Sequence, residues 1–492
     1  MQRKLKILYI SSEVAPFVKS GSLADVVGAL PKFLKDMGHD IRLFIPKYGT
    51  IIDRKYTIRE VIRLKQIKVP LYNKTVIADV KSAFLPSTKV QIYFVENKDY
   101  FDRTELYVDP KTNKEWEDNA ERFVFFSRSI FAILKKLHWQ PDIIHCNDWQ
   151  TALIPFFLKN IYHKDTFFNK IRTILSIHDL SSQGIYEKNI VTFIADPKAI
   201  FYPKSAIENQ GKVNFLKAGI VYADLINTTS KSYAKEIRTS DESSFGLREV
   251  FRKRAKNLYG VVNGVDYSIW DPEVDTLIPH TYSRKDLSGK VKNKYHLAES
   301  LGLKVYEHKP VIGIISQVID QNSFDMLMDI IKNLLKMDAQ YIITGTGNEK
   351  FDNLFQSFVK RYPEKLAFRL KLDDQLTHLM IAGCDMFLIP CRFEPCISFH
   401  LYCLKYGTLP IVHATGAFVD TVKDYNPETK LGFGFVFKEY SPASLLYTIN
   451  YAVKVYHDKE IWKKLVDRAM KLNFSWEAVA ENYNKLYYKL VN

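Results

Sequence analysis

Ile7-Leu8-Tyr9-Ile10 is followed by Ser11-Ser12-Glu13 and then by Lys19-Ser20-Gly21-Ser22-Leu23-Ala24-Asp25. The apolar run predicts a buried strand, and a helical pattern through Leu30 follows the loop. Lys19 is therefore expected at the carboxyl end of a first strand. Ligands of open α/β sheets bind at that end, and phosphates bind at helix N-termini. For this stretch alone, an ordinary loop with a solvated lysine is an equally good explanation.

The same alternation of short apolar runs and helical patterns continues along both halves of the chain. It predicts strands at 6–10, 41–45, 90–95, 143–145, 173–177 and 225–228, and again at 311–316, 340–344, 366–370, 386–389 and 408–412. Helices are predicted between them, for example at 122–137, 150–160 and 324–335. This order is typical of doubly wound parallel sheets. Gly345-Thr346-Gly347 lacks the third glycine of a dinucleotide fingerprint, so a tight turn is preferred there.

A chain of 492 residues is too long for one hydrophobic core, and two domains are expected. The glycines of Gly260-Val261-Val262-Asn263-Gly264 interrupt the pattern, which places a boundary near them. The predicted domains cover 1–265 and 266–470, and a tyrosine- and lysine-rich helix covers 471–492. The fold class is α/β, with two Rossmann-like domains that face a central cleft.

Composition excludes several classes of protein. Hydrophobic residues make up 47% of the chain, which is enough for a full core in each half and excludes disorder. No run approaches the ~20 apolar residues of a membrane span. The net charge of +15 comes from lysines spread among acidic residues, which indicates a solvated surface and not a nucleic-acid site. The odd number of cysteines without metal-ligand spacing indicates reduced thiols in a cytoplasmic protein: Cys146, Cys384, Cys391, Cys396 and Cys403.

Motifs in both halves resemble, in order, those of bacterial glycogen synthases and plant starch synthases. The resemblance rests on 11–17, 19–25, Asp148-Trp149, His178 with Gln183-Gly184, Asn214-Phe215-Leu216-Lys217, Asn263-Gly264-Val265-Asp266, Arg392-Phe393-Glu394-Pro395-Cys396 and Phe474-Ser475-Trp476. It implies the GT-B fold, with the acceptor glucan on the N-terminal domain and the nucleotide sugar on the C-terminal domain. The last helix is then expected to cross back to the first domain.

The resemblance also implies an activity. Glucose is transferred from a nucleotide sugar, usually ADP-glucose with UDP-glucose left open, to the non-reducing end of an α-1,4-glucan. Configuration is retained, and neither a metal nor a cofactor is implied. Cations and backbone N–H groups are expected to stabilise the departing diphosphate. By the resemblance, Glu394 and His178 are the catalytic residues, and the donor is bound by Lys19, Gly21, Asn263, Ser398 and Thr415. Taken alone, His178 is as well explained as a structural histidine.

Several positions depart from the family pattern at the donor phosphates. Gln317 and Asn322 replace an arginine and a lysine, and Ile397 and Phe399 replace residues whose smaller size lets backbone amides approach the phosphate. Ser22 replaces a glycine, Asn147 replaces a histidine, and His413 stands where arginine is usual. The two lost cations remove roughly 3–6 kcal/mol of phosphate stabilisation, about 10²- to 10⁴-fold in rate.

Two hypotheses therefore remain open from the sequence. The chain is either an active glucan synthase or a catalytically impaired relative that binds glucan or a partner protein. A GT-B enzyme of another specificity, such as a sucrose or trehalose synthase, is disfavoured because the N-terminal motif and Phe474-Ser475-Trp476 are typical of glucan synthases.

Overall fold

A computed structural model describes residues 3–315, 321–345, 349–393 and 398–492. The chain forms two compact units: Met1–Gly264 together with Trp476–Asn492, and Val265–Ser475. The units thus divide after Gly264 and after Ser475, whereas the sequence placed the divisions after residues 265 and 470. Within the described residues, no helix combines the length and the apolar character needed to cross a bilayer.

The first unit is built on a mixed sheet with a parallel centre. Its central strands run in the order β15-β14-β10-β9-β1-β2-β6, all parallel, and β5 joins β6 in the antiparallel sense. The strands of this unit are β1 (Lys6–Ile10), β2 (Asp40–Pro46), β3 (Arg59–Glu60), β4 (Ile67–Pro70), β5 (Thr75–Phe84), β6 (Gln91–Glu96), β7 (Val108–Asp109), β8 (Lys114–Glu115), β9 (Ile143–Asn147), β10 (Arg172–Ile177), β11 (Ile185–Tyr186), β12 (Glu208–Asn209), β13 (Lys212–Asn214), β14 (Leu225–Thr228) and β15 (Leu258–Gly260).

Strand β1 lies where the winding direction of this sheet reverses. Ile7 pairs with Ile41 of β2 on one side and with Ile143 of β9 on the other. The chain then moves outward through β6 on one side and through β10, β14 and β15 on the other. In doubly wound sheets such a reversal opens a crevice beyond the carboxyl ends of the two central strands. The loops after β1 and β9 therefore lie where ligands bind in such folds.

Helices connect these strands. The first, α1 (Ser22–Asp36), buries Leu23, Val27 and Leu30 along one face, and its amphipathic spacing explains both its helical state and its docking. The remaining helices before residue 264 are α2 (Lys98–Phe101), α3 (Asn119–Leu137), α4 (Asp148–Thr151), α5 (Leu153–Asn160), α6 (Val191–Ile194), α7 (Pro197–Ile200), α8 (Phe215–Tyr222), α9 (Lys231–Thr239) and α10 (Arg248–Lys253).

The second unit contains a fully parallel sheet. Its order, β18-β17-β16-β19-β20-β21, is that of a dinucleotide-binding Rossmann fold, with the reversal between β16 and β19. The strands are β16 (Val311–Ile314), β17 (Gln340–Thr344), β18 (Leu366–Arg369), β19 (Met386–Ile389), β20 (Leu409–His413) and β21 (Phe435–Phe437). All residues of β16, β17 and β19 are buried, as expected for strands covered by helices on both faces.

The helices of the second unit are α11 (Ser288–Ser300), α12 (Gln321–Leu334), α13 (Glu349–Arg361), α14 (Asp374–Gly383), α15 (Phe399–Lys405), α16 (Gly416–Thr421), α17 (Pro442–His457) and α18 (Lys459–Met470). Part of its core joins Ile342 and Phe387 of the sheet to Leu297 of α11 and Leu379 of α14. Cys146, Cys384, Cys391 and Cys403 are buried and form no disulfide within the described part of the chain, and Cys396 lies outside it.

The last helix, α19 (Trp476–Val491), belongs to the first unit, as the resemblance implied. Tyr487 forms a 2.7 Å hydrogen bond through its hydroxyl with Nδ1 of His145 on β9. Tyr483 accepts a 3.0 Å hydrogen bond from the amide of Asn227 on β14. These buried polar contacts fix the rotation of α19 on the sheet, because a misplaced helix would leave each group without its partner.

The strands predicted from sequence are present in both sheets, with ends that match or differ by at most two residues. Strand β5, the longest of the first unit, is not predicted by its sequence pattern. Its residues alternate between exposed and buried in an irregular way, so it lacks the continuous apolar run of the central strands. Strands β15 and β21, each of which is three residues long, are not predicted either. The predicted turn at Gly345-Thr346-Gly347 lies partly outside the described residues.

Candidate active site

The loop after β1 is organised around a buried carboxylate. Glu13 is 4% exposed and accepts hydrogen bonds from the backbone N–H of Ser20 at 2.5 Å and from that of Gly21 at 3.3 Å. The Ser20 hydroxyl also donates to it at 3.0 Å. These bonds hold the stretch on either side of Ser20 in one shape. Glu13 therefore acts on the geometry of the loop that carries Lys19.

Burial raises the pKa of Glu13, and the hydrogen bonds from Ser20, Gly21 and Tyr107 oppose that effect. The Tyr107 hydroxyl donates to Ser12 at 2.7 Å and lies 3.3 Å from Glu13 Oε1. Burial likewise raises the pKa of Tyr107 well above its usual value, so it stays protonated. The floor of the loop is therefore a buried hydrogen-bonded cluster.

Lys19 lies on the exposed side of this loop. Its Nζ contacts both carboxylate oxygens of Asp25, at 2.8 and 2.9 Å, and its side chain is 55% exposed. An ion pair so accessible to water is worth at most about 1 kcal/mol. Exchange of Asp25 for a phosphate oxygen therefore costs little. Ser22, the substituted family position, is the first residue of α1.

Gly21 is not required by local strain or packing. Its φ of −152° is extended backbone that any residue adopts, and an added Cβ would meet nothing within 4 Å. The space beside it is open. This arrangement allows a ligand to approach the backbone closely.

The ends of β9 and β10 bring Asn147 and His178 together. The Asn147 side-chain oxygen accepts a bond from the Tyr9 hydroxyl at 3.3 Å and lies 3.0 Å from Nε2 of His178. The Asn147 amide donates to the carbonyl of Ile10 at 2.9 Å. Because Asn147 presents an acceptor, this network assigns the proton of the neutral imidazole to Nε2. Asn147, one of the substituted family positions, thus sets the tautomer of His178.

Asp148 is the most unusual residue of this edge. Its φ is +53°, in the left-handed region, and its buried carboxylate accepts the backbone N–H of His178 at 2.7 Å. Burial raises the pKa of Asp148 to about 8, and the negative charges of Asp179 and Glu13 add to the effect. Burial also lowers the pKa of His178 to about 4. At neutral pH the imidazole is therefore uncharged, and the adjoining carboxyl group is largely protonated.

Two glycines of the resembling motifs are required by close packing. A Cβ at Gly184, where φ is +64°, would lie 2.5 Å from the ring of Trp149. A Cβ at Gly264 would lie 2.5 Å from the ring of Trp476. The second contact seats the start of α19 against the loop that contains Asn263, which is 5% exposed. These motifs therefore also maintain the scaffold.

In the second unit, predicted site residues follow neighbouring strands. Thr415 is buried in the turn after β20, and Gly416, with φ of +52°, begins α16. Ser398 precedes α15 and makes no side-chain capping bond. Glu394, Gln317 and Ile397 lie outside the described residues, as does the side chain of Asn322. The strands that precede Gln317 and Glu394 in the sequence, β16 and β19, are hydrogen-bonded neighbours.

Phe399, which the sequence predicts to crowd the donor phosphate, has a buried side chain. Phe399 is 8% exposed, and its ring packs against Phe387 of β19 at 4.8 Å between ring centroids. The ring belongs to the apolar core of the second unit. Its burial contributes to stability, and its bulk points away from solvent.

His413, where the family usually has arginine, lies beside a cation. Its Nδ1 is 3.3 Å from the carbonyl oxygen of Arg392, and its ring centroid is 5.1 Å from that of Tyr440. The Arg392 guanidinium lies 5.5 Å from the same tyrosine ring centroid. Positive charge is therefore present near this edge despite the substitution at His413.

Sequence reasoning did not assign the supporting residues of the first edge. Glu13 and Asp148 occur within the family motifs, and the sequence predicts no role for Tyr9 or Tyr107. Tyr107 is about 95 positions from its partners in the chain, so no local pattern indicates the contact. The sequence does contain a signal for Glu13. An acidic residue among apolar and small residues, directly after a buried strand, is expected to have hydrogen-bond partners inside the protein.

Two doubly wound units, with polar groups after the central strands, define an α/β protein of the class that binds ligands beyond the carboxyl ends of its strands. A family profile described as the starch synthase catalytic domain matches residues 6–253. A glycogen synthase of Chlorobium phaeobacteroides is 38% identical over 491 residues, covering 100% of this chain and 99% of the relative. One of Fervidobacterium nodosum is 40% identical over 494 residues, with 98% of each chain covered.

A solved structure of the same kind also matches. The catalytic domain of starch synthase IV from Arabidopsis thaliana, bound to ADP and acarbose, has a TM-score of 0.88 at 27% identity, covering 99% of this chain and 100% of that one. The chain belongs to the glycogen and starch synthase family of GT-B glycosyltransferases.

Proposed function

We propose that this protein transfers a glucosyl residue from ADP-glucose to the 4-hydroxyl group at the non-reducing end of an α-1,4-glucan, with retention of configuration. The proposal is supported by full-length relatives named glycogen synthase and by the starch synthase IV structure bound to ADP and acarbose. The donor is a nucleotide sugar and the acceptor a glucan. The choice of ADP-glucose over UDP-glucose rests on the ADP in that structure.

One observation carries the proposal: an accessible cation, Lys19 after β1, occurs together with buried uncharged side chains at the ends of β9 and β10. These side chains are Asn147 and His178. As the sugar–phosphate bond breaks, positive charge develops on the sugar and negative charge on the diphosphate. A neutral His178 binds a sugar hydroxyl without repelling the developing positive charge. Lys19, weakly held by Asp25, stabilises negative charge on the leaving group.

We assign the other roles residue by residue from the resemblance. Gly21 and Asn263 of the first unit and Ser398 and Thr415 of the second bind the donor, and Glu394 is the carboxylate beside the donor sugar. The first unit is assigned to the acceptor glucan, and the second, with its Rossmann strand order, to the nucleotide sugar. Nothing among the described residues favours the catalytically impaired alternative.

The test is transfer of labelled glucose to glycogen from ADP-glucose and, separately, from UDP-glucose. The wild type should transfer from ADP-glucose, and Glu394→Ala should lower the rate by about 10³-fold or more, since it removes a group that acts on the reacting sugar. Glu428→Ala is the matched control, because Glu428 is exposed in a loop of the same unit. Absence of transfer by the wild type with either donor, together with glycogen binding, would contradict the proposal.

A further inference from the structure

A cavity lies in the first unit at the opposite edge of the sheet from Lys19 and His178. It has a volume of about 530 Å³ and is bordered by the residues that begin β10, β14 and β15. The candidate active site, in contrast, follows the carboxyl ends of the strands. The family motifs and the proposed reaction leave this cavity without a role. We call it the basic cavity.

Five cationic side chains and one acidic side chain line the basic cavity. The cations come from separate parts of the chain: Lys159 at the end of α5, Arg172 at the start of β10, Arg254 and Lys256 after α10, and Lys489 on α19. Asp224 is the acid. Like charges gathered around a concave surface repel one another, and a concave wall focuses their field into the cavity.

Asp224 neutralises only part of this charge, because its two oxygens are occupied at one end of the cavity. One oxygen lies 2.9 Å from Nζ of Lys159 and 4.0 Å from Arg172. The other accepts the backbone N–H of Thr173 at 2.8 Å and its hydroxyl at 3.0 Å. Among the described residues, no carboxylate lies within 4 Å of Arg254, Lys256 or Lys489. The net field in the cavity is therefore strongly positive.

The Arg254 guanidinium is held by backbone carbonyls, and Asp224 offsets only part of its charge. It donates to the backbone carbonyls of Val221, at 2.8 Å, and of Ala223. Its Nε is buried without a hydrogen-bond partner in the described part of the chain. Burial lowers the pKa of this guanidinium from its usual value, which reflects the cost of keeping the charge there. A bound anion would remove that cost.

The aromatic residues of the cavity add a second kind of contact. Lys489 lies over the ring of Tyr259 at 4.7 Å from Nζ to the centroid, and the Tyr259 hydroxyl donates to the carbonyl of Lys256 at 3.3 Å. Tyr222 borders the same cavity. Lysine and arginine are the side chains that bind phosphate, and tyrosine rings pack against sugars and bases.

We propose that the basic cavity binds a small phosphate ester, of the size of a sugar phosphate or a nucleoside monophosphate, separately from the donor and the glucan. Its volume falls within the range of small-molecule sites, and its concave shape favours a compact anion over an extended polymer. The ligand would join α5, α10 and α19 through their cations. Binding should therefore raise the melting temperature of the protein as well.

The test measures binding of inorganic phosphate, glucose 1-phosphate and AMP by calorimetry, with glucose and adenosine as uncharged controls. The site variant is Lys256→Ala with Lys489→Ala, since both lysines are exposed. The matched control, Lys89→Ala with Lys188→Ala, removes two exposed lysines elsewhere in the same unit. Lys19→Ala reports binding at the other edge of the sheet. Comparison of glucose 1-phosphate with AMP distinguishes a sugar phosphate from a nucleotide.

We expect saturable binding of a phosphate ester by the wild type, with a matching rise in melting temperature. Affinity should fall at least about tenfold in the site variant and remain unchanged in the control and in Lys19→Ala. The proposal is overturned if no probe binds, if the two double variants weaken binding equally, or if only Lys19→Ala does so. Binding of an oligonucleotide that is tighter than that of every small probe and sensitive to the site variant would also overturn it.

Discussion

The family's motifs lie at the carboxyl ends of the strands in both sheets, but their side chains are held by different interactions. At the first edge, buried polar groups bond to one another: Glu13 to Ser20, Asn147 to Tyr9 and Asp148 to the backbone of His178. At the second edge, the described residues are held by core packing, as Phe399 is on Phe387. The positions that depart from the family lie at both edges, so their consequences differ.

The difference indicates that the effect of a substitution depends on the side chains that surround it. Asn147 replaces a histidine and becomes the acceptor that orients His178. Phe399, predicted to replace a smaller residue, packs its ring into the core. Gln317 and Asn322 are the positions at which the sequence predicts lost cations, and a neutral amide does not supply a positive charge. We therefore expect changes at these two positions to have the larger effect on catalysis.

The largest effect is expected from restoring both cations at the second edge. Gln317→Arg with Asn322→Lys should raise kcat/KM for ADP-glucose by about 10²- to 10⁴-fold if both groups reach the diphosphate independently. The control, Gln356→Arg with Asn353→Lys, makes the same substitutions on the exposed face of α13. Equal rates in the two double variants would mean that other cations already stabilise the diphosphate. The expected difference in catalysis between the two edges would then be contradicted.

Removal of the accessible cation at the first edge should have the next largest effect. Lys19→Ala should lower kcat/KM by about 10- to 100-fold, the worth of one charge-assisted contact to phosphate. Asp25→Asn is the partner control, since it leaves the lysine and removes only an exposed ion pair. Its rate should stay within about threefold of the wild type. A larger loss in Asp25→Asn than in Lys19→Ala would assign the role to the carboxylate.

A stability measurement tests the buried network at Asn147. Asn147→Ala leaves the Tyr9 hydroxyl without its acceptor and the Ile10 carbonyl without its donor, which should cost about 1–3 kcal/mol in chemical denaturation. Asn189→Ala, at an exposed position of the same unit, should cost much less. The network explanation fails if the two variants unfold alike.

The smallest effect concerns pH. The pKa of Asp148 is raised to about 8 in the folded state. Between the pKa of Asp148 in the unfolded chain and pH 8, the folded state therefore binds more protons, and the free energy of unfolding falls as pH rises. The lowered pKa of His178, about 4, gives the opposite slope, but only below about pH 6.5. Asp148→Asn should therefore gain stability over the wild type between pH 6.5 and 8, by at most about 2 kcal/mol. Parallel stability curves would show that Asp148 is ionised when folded.

Much of the scaffold was predictable because its signals are local. The buried strands β1, β9, β17 and β19 are short apolar runs, and the turn residues around them mark where each strand ends. Helix α1 follows from its amphipathic spacing. Strand β5 was missed because its residues alternate irregularly between solvent and core. The position of Lys19 after a first strand was likewise readable from the sequence.

By itself, the sequence determined the alternating α/β pattern and the family, because each depends on residues close together in the chain. Only the tertiary structure decided that Asn147 orients His178, that Phe399 belongs to the core and that Asp148 is buried with a raised pKa. It also decided that five cations from distant segments surround one cavity. These properties depend on burial and on contacts between residues far apart in sequence, which pattern and spacing do not encode.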